Sequence, residues 1–471
     1  MSGKLRSKLM GIVSLWLLLI PNLYAQGDLV YINSGGSAVS AFSFGADRIL
    51  SEVPGSPFIT GGGAGTFQNG IATSALRHCL YASNNVGARV SAFSIDPITG
   101  VLSSIPGSPF DTGTGILGGV LLAISPNEQF LFALNGSTGN LATFRIAFEG
   151  SLIRLPLVPP VSGLGKQMRV SPDGRFLFVL EGFSGVTIGV FSIGTDGELA
   201  RISQTHFTPA SDCDNGALDL NCAGNLLFAA SECGDFFVFN VDRNGTLTPI
   251  PGSPFIANIG VTALSSNSPG SLLFTISNGD KRIRVFGVDQ AGTVSPVPVS
   301  SVDITNPSDE DTTPVDLAIN KDENILYVNS ADGTVFVFAV SPSGVLSPVQ
   351  GSPFPAGPSF GATITAFPGR SCGPAFDLCI QDDSNTNILQ LNSTTGDYRV
   401  ANCKGVIAAG TGKLTKKGCL ITLQHYASDR RVLANIDTCQ NKATATIQLL
   451  SPGTTLTIAD RNIRNNSCVC R

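Results

Sequence analysis

The feature that most limits the fold is a unit of about fifty residues that the chain repeats seven times. Each unit holds an apolar run with a central aromatic residue, such as "LVYINS" or "FLFALN", and a second run ending near a phenylalanine. These are Phe42, Phe93, Phe144, Phe191, Phe239, Phe286 and Phe338, spaced 51, 51, 47, 48, 47 and 52 residues apart. This period, with strand-forming runs and no helical periodicity, predicts an all-β, seven-bladed β-propeller with four strands, A to D, per blade.

The two ends of the repeat region are complementary. The first unit begins at its B strand, "DLVYINS", with no A strand before it, whereas "GATITAF" (361–367) follows the seventh unit and has no B strand of its own. We therefore expect the N- and C-terminal strands to share one blade and close the ring.

Four units end in nearly the same letters, "PGSPF" at 54–58, 106–110 and 251–255 and "QGSPF" at 350–354. The motif follows strand D, the outer strand of a blade, where proline is tolerated because its missing N–H faces no partner. Four copies at distinct sites cannot form one active site, so we interpret the motif as a structural bend between blades.

Residues 1–25 read as a signal peptide, because three cations precede the apolar run "LMGIVSLWLLLI" and alanine precedes Gln26. The apolar run is too short for a membrane span. We therefore expect a secreted or periplasmic protein with a propeller at 26–370. That region holds 15 basic and 27 acidic side chains, and an acidic body argues against a nucleic-acid partner.

Residues 371–471 differ from the repeats in charge and in cysteine content. They hold 11 basic and 7 acidic side chains and seven of the eleven cysteines. Dense cysteines in an exported chain indicate disulfides, and the alternating runs "NILQLNS", "CLITLQHY", "RVLANID" and "ATATIQLL" predict a small β domain of roughly six strands.

The unit "SPDGRFLFVLEGFSGVTIGVFSIGTDGEL" (171–199), together with "GSPF", resembles the seven-bladed lactonase-family propellers, which include 6-phosphogluconolactonase-like and muconate-cyclising enzymes. The resemblance implies the propeller fold over residues 28–368 and lactone hydrolysis as an activity. In "LGKQMRVSPDG", however, Gln167 stands where the family has a histidine. Glu181 lies near a family Asn-Glu position, but Leu180 precedes it. The tail, with "DDSNTNILQLNSTTGDYR", is similar to an uncharacterised ending of secreted bacterial proteins.

Other chemical signals in the sequence are weak. The three histidines, His78, His206 and His425, are scattered, which argues against a multi-histidine metal site. No serine lies in Gly-x-Ser-x-Gly, and "GTGILG" (113–118) lies in a loop rather than before a helix. We expect neither a metal nor a cofactor.

In a propeller, the B–C and D–A connections share one face, here the loop face, and the A–B turns lie on the other, here the turn face. This arrangement puts Cys213 and Cys233 together on the loop face and predicts a disulfide between them, with Cys222 opposite. The B–C loops carry Asn33, Asp280 and Asn329 and seven predicted binding residues: Asn84, Asn135, Glu181, Glu232, Asp235, Asn278 and Asp332.

This polar rim has two open interpretations. Its residues either bind a ligand or only form the loops, because Asn and Asp are also common in tight turns. The rim would suit a carbohydrate, a sugar-acid lactone or a protein ligand. The loop "DITNPSDEDTTP" (303–314) adds Asp303, Asp309, Glu310 and Asp311, which we interpret as a solvated charge run rather than a calcium site.

Two functions from different classes follow. The first is a non-catalytic exported binding module. The second is a lactone hydrolase that uses Glu181 and Arg169, with Gln167 in place of the histidine. The absent histidine favours the first, because it would be the group best suited to proton transfer near neutral pH.

Overall fold

A computed structural model describes residues 27–464 with interruptions. The ranges outside the description are 36, 63–69, 76, 85, 116–118, 148, 157–160, 162–164, 183–185, 208–214, 233, 257–259, 306–311, 358–362, 371, 373–377, 382–386, 392–396, 403–404, 412, 418–419, 427–429, 438–441 and 450–454. Residues 1–25, Cys213, Cys233, Asp309, Glu310 and Asp311 therefore lie outside the described residues.

Blades 1 to 3 are built from consecutive antiparallel strands. The strands of blade 1 are β1 (Asp28–Ser34), β2 (Ala38–Phe44), β3 (Leu50–Glu52) and β4 (Phe58–Ile59). Those of blade 2 are β5 (Ile71–Ser74), β6 (Cys79–Asn84), β7 (Arg89–Ile95), β8 (Leu102–Ser104) and β9 (Phe110–Asp111). Those of blade 3 are β10 (Val120–Ile124), β11 (Phe130–Asn135), β12 (Leu141–Ile146) and β13 (Leu152–Arg154).

Blades 4 to 7 follow the same plan. Blade 4 has β14 (Gly165–Val170), β15 (Phe176–Glu181), β16 (Val186–Ile193) and β17 (Leu199–Phe207). Blade 5 has β18 (Asn215–Leu220), β19 (Leu226–Ser231), β20 (Asp235–Val241), β21 (Leu247–Pro249) and β22 (Phe255–Ile256). Blade 6 has β23 (Ala263–Ser266), β24 (Leu272–Ser277), β25 (Arg282–Gly287) and β26 (Ser300–Asp303). Blade 7 has β27 (Pro314–Ile319), β28 (Ile325–Ser330), β29 (Thr334–Val340), β30 (Leu346–Pro348) and β31 (Phe354–Pro355).

The ring closes as the sequence predicts. Strand β32 (Thr363–Phe367) pairs antiparallel with β1, and the sheet of blade 1 runs β3-β2-β1-β32. The seven-bladed, all-β architecture is therefore confirmed, with the last strand serving as strand A of the first blade.

The hydrophobic core lies between the blades. Seven clusters of buried side chains, each joining two neighbouring blades, include the central aromatic residues of the B strands. Three of these residues are tyrosines whose hydroxyls donate a hydrogen bond to the neighbouring blade. For example, Tyr31 donates to the Gly100 carbonyl at 3.0 Å and Tyr81 to the Gly150 carbonyl at 2.9 Å. Each B strand is thus apolar on both faces, which explains its nearly continuous hydrophobic sequence.

The repeated motif divides the outer strand of its blade into two short pieces. In blade 1, β3 and β4 both pair with β2, and the connection contains Gly55 at a φ of 90° and a cis Ser56–Pro57 bond. Ser56 Oγ accepts a hydrogen bond from the Ala41 N–H at 3.0 Å. The same bond recurs from Ala92 N–H to Ser108 Oγ, from Val238 N–H to Ser253 Oγ and from Val337 N–H to Ser352 Oγ. The serine bonds the middle strand of the blade where the outer strand is interrupted.

The tail forms one sheet of nine strands, not roughly six. They are β33 (Leu378–Gln381), β34 (Asn387–Leu391), β35 (Asp397–Asn402), β36 (Gly405–Thr411), β37 (Lys413–Lys417), β38 (Leu420–Tyr426), β39 (Arg430–Asp437), β40 (Lys442–Leu449) and β41 (Thr455–Arg464). The first strand pairs with the last, and the two edge strands, β36 and β37, are separated in the chain by one residue. No helix of the described residues is long and apolar enough to cross a membrane.

Candidate functional site

Two of the asparagines predicted at the loop face, Asn84 and Asn135, are buried and bonded to nearby protein groups. Asn84 and Asn135 both have 0% exposure. Asn84 Nδ2 donates to Ser91 Oγ at 3.0 Å, and Asn135 Oδ1 accepts the N–H groups of Ser137 and Thr138 at 3.0 and 3.1 Å. These contacts are the structural use of asparagine that turns require.

The other predicted rim residues differ in exposure. Asp235 is 3% exposed, and Asp332 is half-buried and accepts the Thr334 N–H at 3.0 Å. Glu232 and Asn278 are exposed, on blades 5 and 6. The structure therefore leaves two of the seven predicted binding side chains open to solvent.

The carboxylate of Glu181 points away from the centre of the propeller. Glu181 has 0% side-chain exposure and forms an ion pair with Arg201 at 3.0 Å, across strand β16 from its own strand. A Cβ on Gly189 would overlap this carboxylate, so the glycine provides the space for it. Glu181 and Arg169 are thus held in separate ion pairs, and the structure does not bring them together.

The central channel of the propeller contains a cavity of about 430 Å³. Its wall includes residues from all seven A strands, namely β5, β10, β14, β18, β23, β27 and β32. Two of the three catalytic candidates, Gln167 and Arg169, lie in this wall on β14. Central channels of this kind are frequent ligand sites because several chain segments converge there.

Two arginines share one buried aspartate in the channel wall. Asp219 Oδ1 accepts a hydrogen bond from Arg169 Nε at 3.0 Å, and Oδ2 accepts one from Arg370 Nη2 at 2.7 Å. Ser266 adds its N–H at 2.7 Å and its hydroxyl at 2.9 Å. Burial alone would raise the pKa of Asp219, but the charges of Arg370 and Arg169 hold it below its usual range. The aspartate is therefore an anion, and the three charges sum to plus one.

Arg169 retains hydrogen-bonding capacity toward the channel. Its Nε bonds Asp219 and its Nη1 donates to the Met168 carbonyl at 3.1 Å, whereas no described residue accepts from Nη2. Its side chain is 36% exposed, compared with 14% for Arg370. Arg169 is the arginine of this cluster that can contact a ligand.

Asp316, on β27 of blade 7, is the second carboxyl group of the channel wall. Its oxygens accept the Leu317 N–H at 2.9 Å and the Ile364 N–H at 3.1 Å. Asp316 is half-buried in the channel wall, and its desolvation by the surrounding protein raises the pKa to about 6 despite those bonds and the charge of Arg169. Asp316 therefore changes charge close to neutral pH.

One atom of the Gln167 side-chain amide is hydrogen-bonded to the protein backbone. Its Oε1 accepts the N–H of Leu218 on the neighbouring blade. An amide does not take up a proton near neutral pH, so Gln167 cannot perform the proton transfer of a histidine. It can bind and position a ligand through its Nε2.

The adjacent arc of the channel wall, from blades 2 and 3, is mainly apolar. Blades 2 and 3 contribute Ile71, Leu121, Leu122 and Ile124, all of which are half-buried. These side chains are the inner margins of the hydrophobic clusters between blades 1 and 4. Glu128 is the charged residue of this arc, and it lies at the turn face, where its carboxylate bonds Ser74.

The segment that follows β32 runs along the turn face of the channel. The Lys321 N–H donates to the Pro368 carbonyl at 3.2 Å on blade 7, and Gly369 forms a bridge with Asn320. Arg370 then bonds Asp219 and the Leu220 carbonyl on blade 5, and the Ser266 carbonyl on blade 6. The segment spans three blades and covers part of one end of the channel.

A disulfide between Cys222 and Cys372 fixes this segment to blade 5. The sequence places Cys222 on the turn face but does not predict its partner, since the two residues are 150 positions apart. The predicted Cys213–Cys233 pair lies outside the described residues and stays a prediction. Cys79 is a buried free thiol.

The described histidines lie outside the channel wall. His206 Nδ1 shares a hydrogen bond with Thr187 Oγ1 at 2.7 Å, and the His78 ring contacts the Phe367 ring edge-on at 6.1 Å. Within the described residues, no group of three or more His, Cys, Asp or Glu side chains is arranged to hold a metal ion.

Three channel residues, Asp219, Asp316 and Arg370, are absent from the predicted site. A signal was available for two of them, because "GALDL" and "PVDLAI" each place one carboxylate in an otherwise apolar A strand. A charge in such a position is costly unless it is paired, so it indicates a partner or a function. Arg370 carries no such signal, since it lies after the last repeat.

Solved structures with the same fold include two candidate 6-phosphogluconolactonases. The protein from Bacteroides fragilis is 17% identical, with a TM-score of 0.57 and coverage of 73% of this chain and 98% of its own. The protein from Bacteroides uniformis is 17% identical, with a TM-score of 0.57 and coverage of 72% and 100%.

A periplasmic gluconolactonase from Pseudomonas aeruginosa is 21% identical, with a TM-score of 0.50 and coverage of 60% of this chain and 84% of its own. No protein-family model and no curated protein matches the chain. At these identities the similarity establishes the seven-bladed β-propeller fold that the sequence predicts.

Proposed function

We propose that the chain is an exported binding protein that holds a small organic anion in the central channel. The observation that carries this proposal is Arg169, whose guanidinium is positioned by Asp219 yet is 36% exposed. A fixed, partly desolvated guanidinium is well suited to a carboxylate or phosphate, because charge-assisted hydrogen bonds are short and strong.

The remaining polar groups of the wall support an anionic ligand. Gln167 contributes an amide, and Thr365 contributes a hydroxyl from β32. The ligand enters from the loop face, since the segment carrying Arg370 lies across the turn face. The exposed Glu232 and Asn278 on the loop face are secondary candidates for contact with a carbohydrate or protein ligand.

Export is part of this proposal. The N-terminal 25 residues have the order of a cleaved signal, with cations, an apolar run and alanine before Gln26. One protein of the same fold is periplasmic by its description. A disulfide between the propeller and the following segment agrees with an oxidising compartment.

The test is to titrate the mature chain with hexanoate, gluconate and phosphate by isothermal calorimetry. We expect at least one anion to bind with a Kd in the micromolar range and Arg169→Gln to weaken it by about 10- to 100-fold, since hydrogen bonds to charged groups contribute about 1.5–3 kcal/mol. Arg169→Lys should bind with intermediate affinity. Arg282→Gln, on the outer part of blade 6, is the matched control and should bind normally. Equal binding by Arg169→Gln would refute the proposal.

Lactone hydrolysis is a second candidate, favoured by Asp316. With a pKa of about 6, this carboxylate is suited to act as a general base near neutral pH. It would take a proton from water as the water oxygen attacks the lactone carbonyl. It would then return that proton to the ring oxygen as the ring bond breaks, with Arg169 stabilising the oxyanion.

This candidate is tested by assaying hydrolysis of a panel of sugar lactones. Activity that falls at least 100-fold in Asp316→Asn, and not in the exposed control Asp303→Asn, would establish hydrolysis at the channel. A loss confined to Glu181→Gln would instead point to the family position. No turnover above the uncatalysed rate would leave ligand binding as the function of the channel.

A further inference from the structure

The channel has two chemically different walls, and this difference constrains its ligand. One arc, from blades 4, 5 and 7, presents Gln167, Arg169 and Asp316. The adjacent arc, from blades 2 and 3, presents half-buried aliphatic side chains that include Leu122 and Ile124. A bound molecule of a size to fill the cavity touches both arcs.

In this arc Thr73 offers a hydroxyl, the polar groups of Ser125 and Glu128 are bonded to protein groups, and the other large side chains are aliphatic. Leu122 and Ile124 belong to the cluster between blades 2 and 3, and Leu121 to the cluster between blades 3 and 4, so this surface continues the hydrophobic core. A hydroxyl placed against it would lose water without gaining a partner, which is unfavourable. A hydrocarbon group placed there would be favoured by the burial of apolar surface on both sides.

We infer that the ligand is a carboxylate with an aliphatic or aromatic body, rather than a polyhydroxylated sugar acid. This inference rests on the proposed binding of an organic anion at Arg169. The carboxylate pairs with the exposed guanidinium of Arg169, and the apolar body covers Ile71, Leu121, Leu122 and Ile124. In this arrangement the charged arc binds the carboxylate of the ligand, and the apolar arc selects ligands with an apolar body.

Hexanoate and gluconate form a matched pair of probes, because both are six-carbon carboxylates and only gluconate carries hydroxyls on its other carbons. The mature chain, with its tail, is titrated with each at pH 7.5, where both are ionised. We expect hexanoate to bind at least tenfold more tightly. Leu122→Asn should reduce that preference to less than threefold while gluconate binding is unchanged or improved.

Variants guard against a folding defect at Leu122. Ile71→Thr changes the same arc with a smaller loss of volume and should also reduce the preference for hexanoate. Ile98→Asn is the control for an exposed isoleucine, with 73% exposure on the outside of blade 2, and should retain it.

The outcomes separate the two proposals. Gluconate binding as tightly as hexanoate, with both lost in Arg169→Gln, would overturn the inference about ligand class and leave anion binding in place. A preference for hexanoate that persists in both Leu122→Asn and Ile71→Thr would overturn the role of the apolar arc. Absence of binding by both probes would overturn the inference about ligand class, and absence of phosphate binding as well would remove the proposed function.

Discussion

The two arcs of the channel wall show two ways of ending the core between neighbouring blades. Between blades 2 and 3, the aliphatic cluster continues to the channel and ends in Leu122 and Ile124, which are half-buried and pack against that cluster. Between blades 4, 5 and 6, the core ends in Asp219, to which Arg169 and Arg370 are paired. The first solution needs only apolar residues, whereas the second needs partners from three parts of the chain.

In the charged arc, some polar side chains only hold other groups in place, whereas one remains available to a ligand. Asp219 is 1% exposed and its oxygens are occupied by protein donors, so it positions other groups. Arg169, which it holds, retains exposed donors toward the cavity. Because the oxygens of Asp219 already have protein partners, Arg169 is the member of this pair that is available to a ligand.

The largest expected effect comes from removing the shared anion. Asp219→Ala leaves two arginines without their counter-ion, and breaking a buried ion pair costs about 3–5 kcal/mol. Leu122→Ala, on the half-buried apolar arc, should cost less, about 1–2 kcal/mol. Urea unfolding followed by circular dichroism measures both. Equal losses in the two variants would contradict the proposed difference between the arcs.

A smaller effect is expected from the pH dependence of anion binding. The pKa of Asp316 is raised to about 6 by burial, so the residue is neutral at pH 5 and negative at pH 8. The charge of Arg169, Asp219, Arg370 and Asp316 together then falls from plus one to zero across this range. Affinity for benzenesulfonate, which stays ionised throughout, should decrease about tenfold from pH 5 to pH 8, because an additional carboxylate repels it.

Asp316→Asn should remove this dependence and keep the high affinity at pH 8. Asp303→Asn, an exposed substitution on blade 6, should leave it unchanged. A decrease of similar size in Asp316→Asn would assign the titration to another group.

The smallest effect concerns polar groups outside the channel. Ser56→Ala removes the hydroxyl that accepts the Ala41 N–H, and we expect a loss of about 1 kcal/mol in unfolding free energy with no change in anion affinity. The same holds for Ser108→Ala. A weaker anion affinity in either variant would contradict the structural role of the motif.

Much of the propeller could be predicted because its repeats are local. Each B strand is buried on both faces and each C strand carries a phenylalanine near its end, so every unit has the same strong pattern. The number of strands in the tail is less evident from the sequence, which predicts roughly six instead of nine. The reason is that β36 and β37 are separated by a single residue and β33 spans only four residues.

The sequence predicts only part of the candidate site, because several of its residues lie far apart along the chain. Gln167 and Arg169 were found through the family resemblance, and both line the channel. Asp219 and Arg370 are 151 positions apart and meet only after the ring closes. Asp316 gains its neighbour Ile364 in the same way, because blades 7 and 1 become adjacent through the pairing of β1 with β32.

The sequence by itself determined the number of blades, the closing strand and the structural nature of the repeated motif. These depend on apolar runs and turn residues that recur within about fifty positions, so the pattern is visible in the sequence without knowledge of contacts between blades. Only the tertiary structure decided which charges share the channel, which thiol Cys222 joins and which way Glu181 points. Those outcomes depend on contacts between blades, and side chains from different blades become neighbours only when the ring is complete.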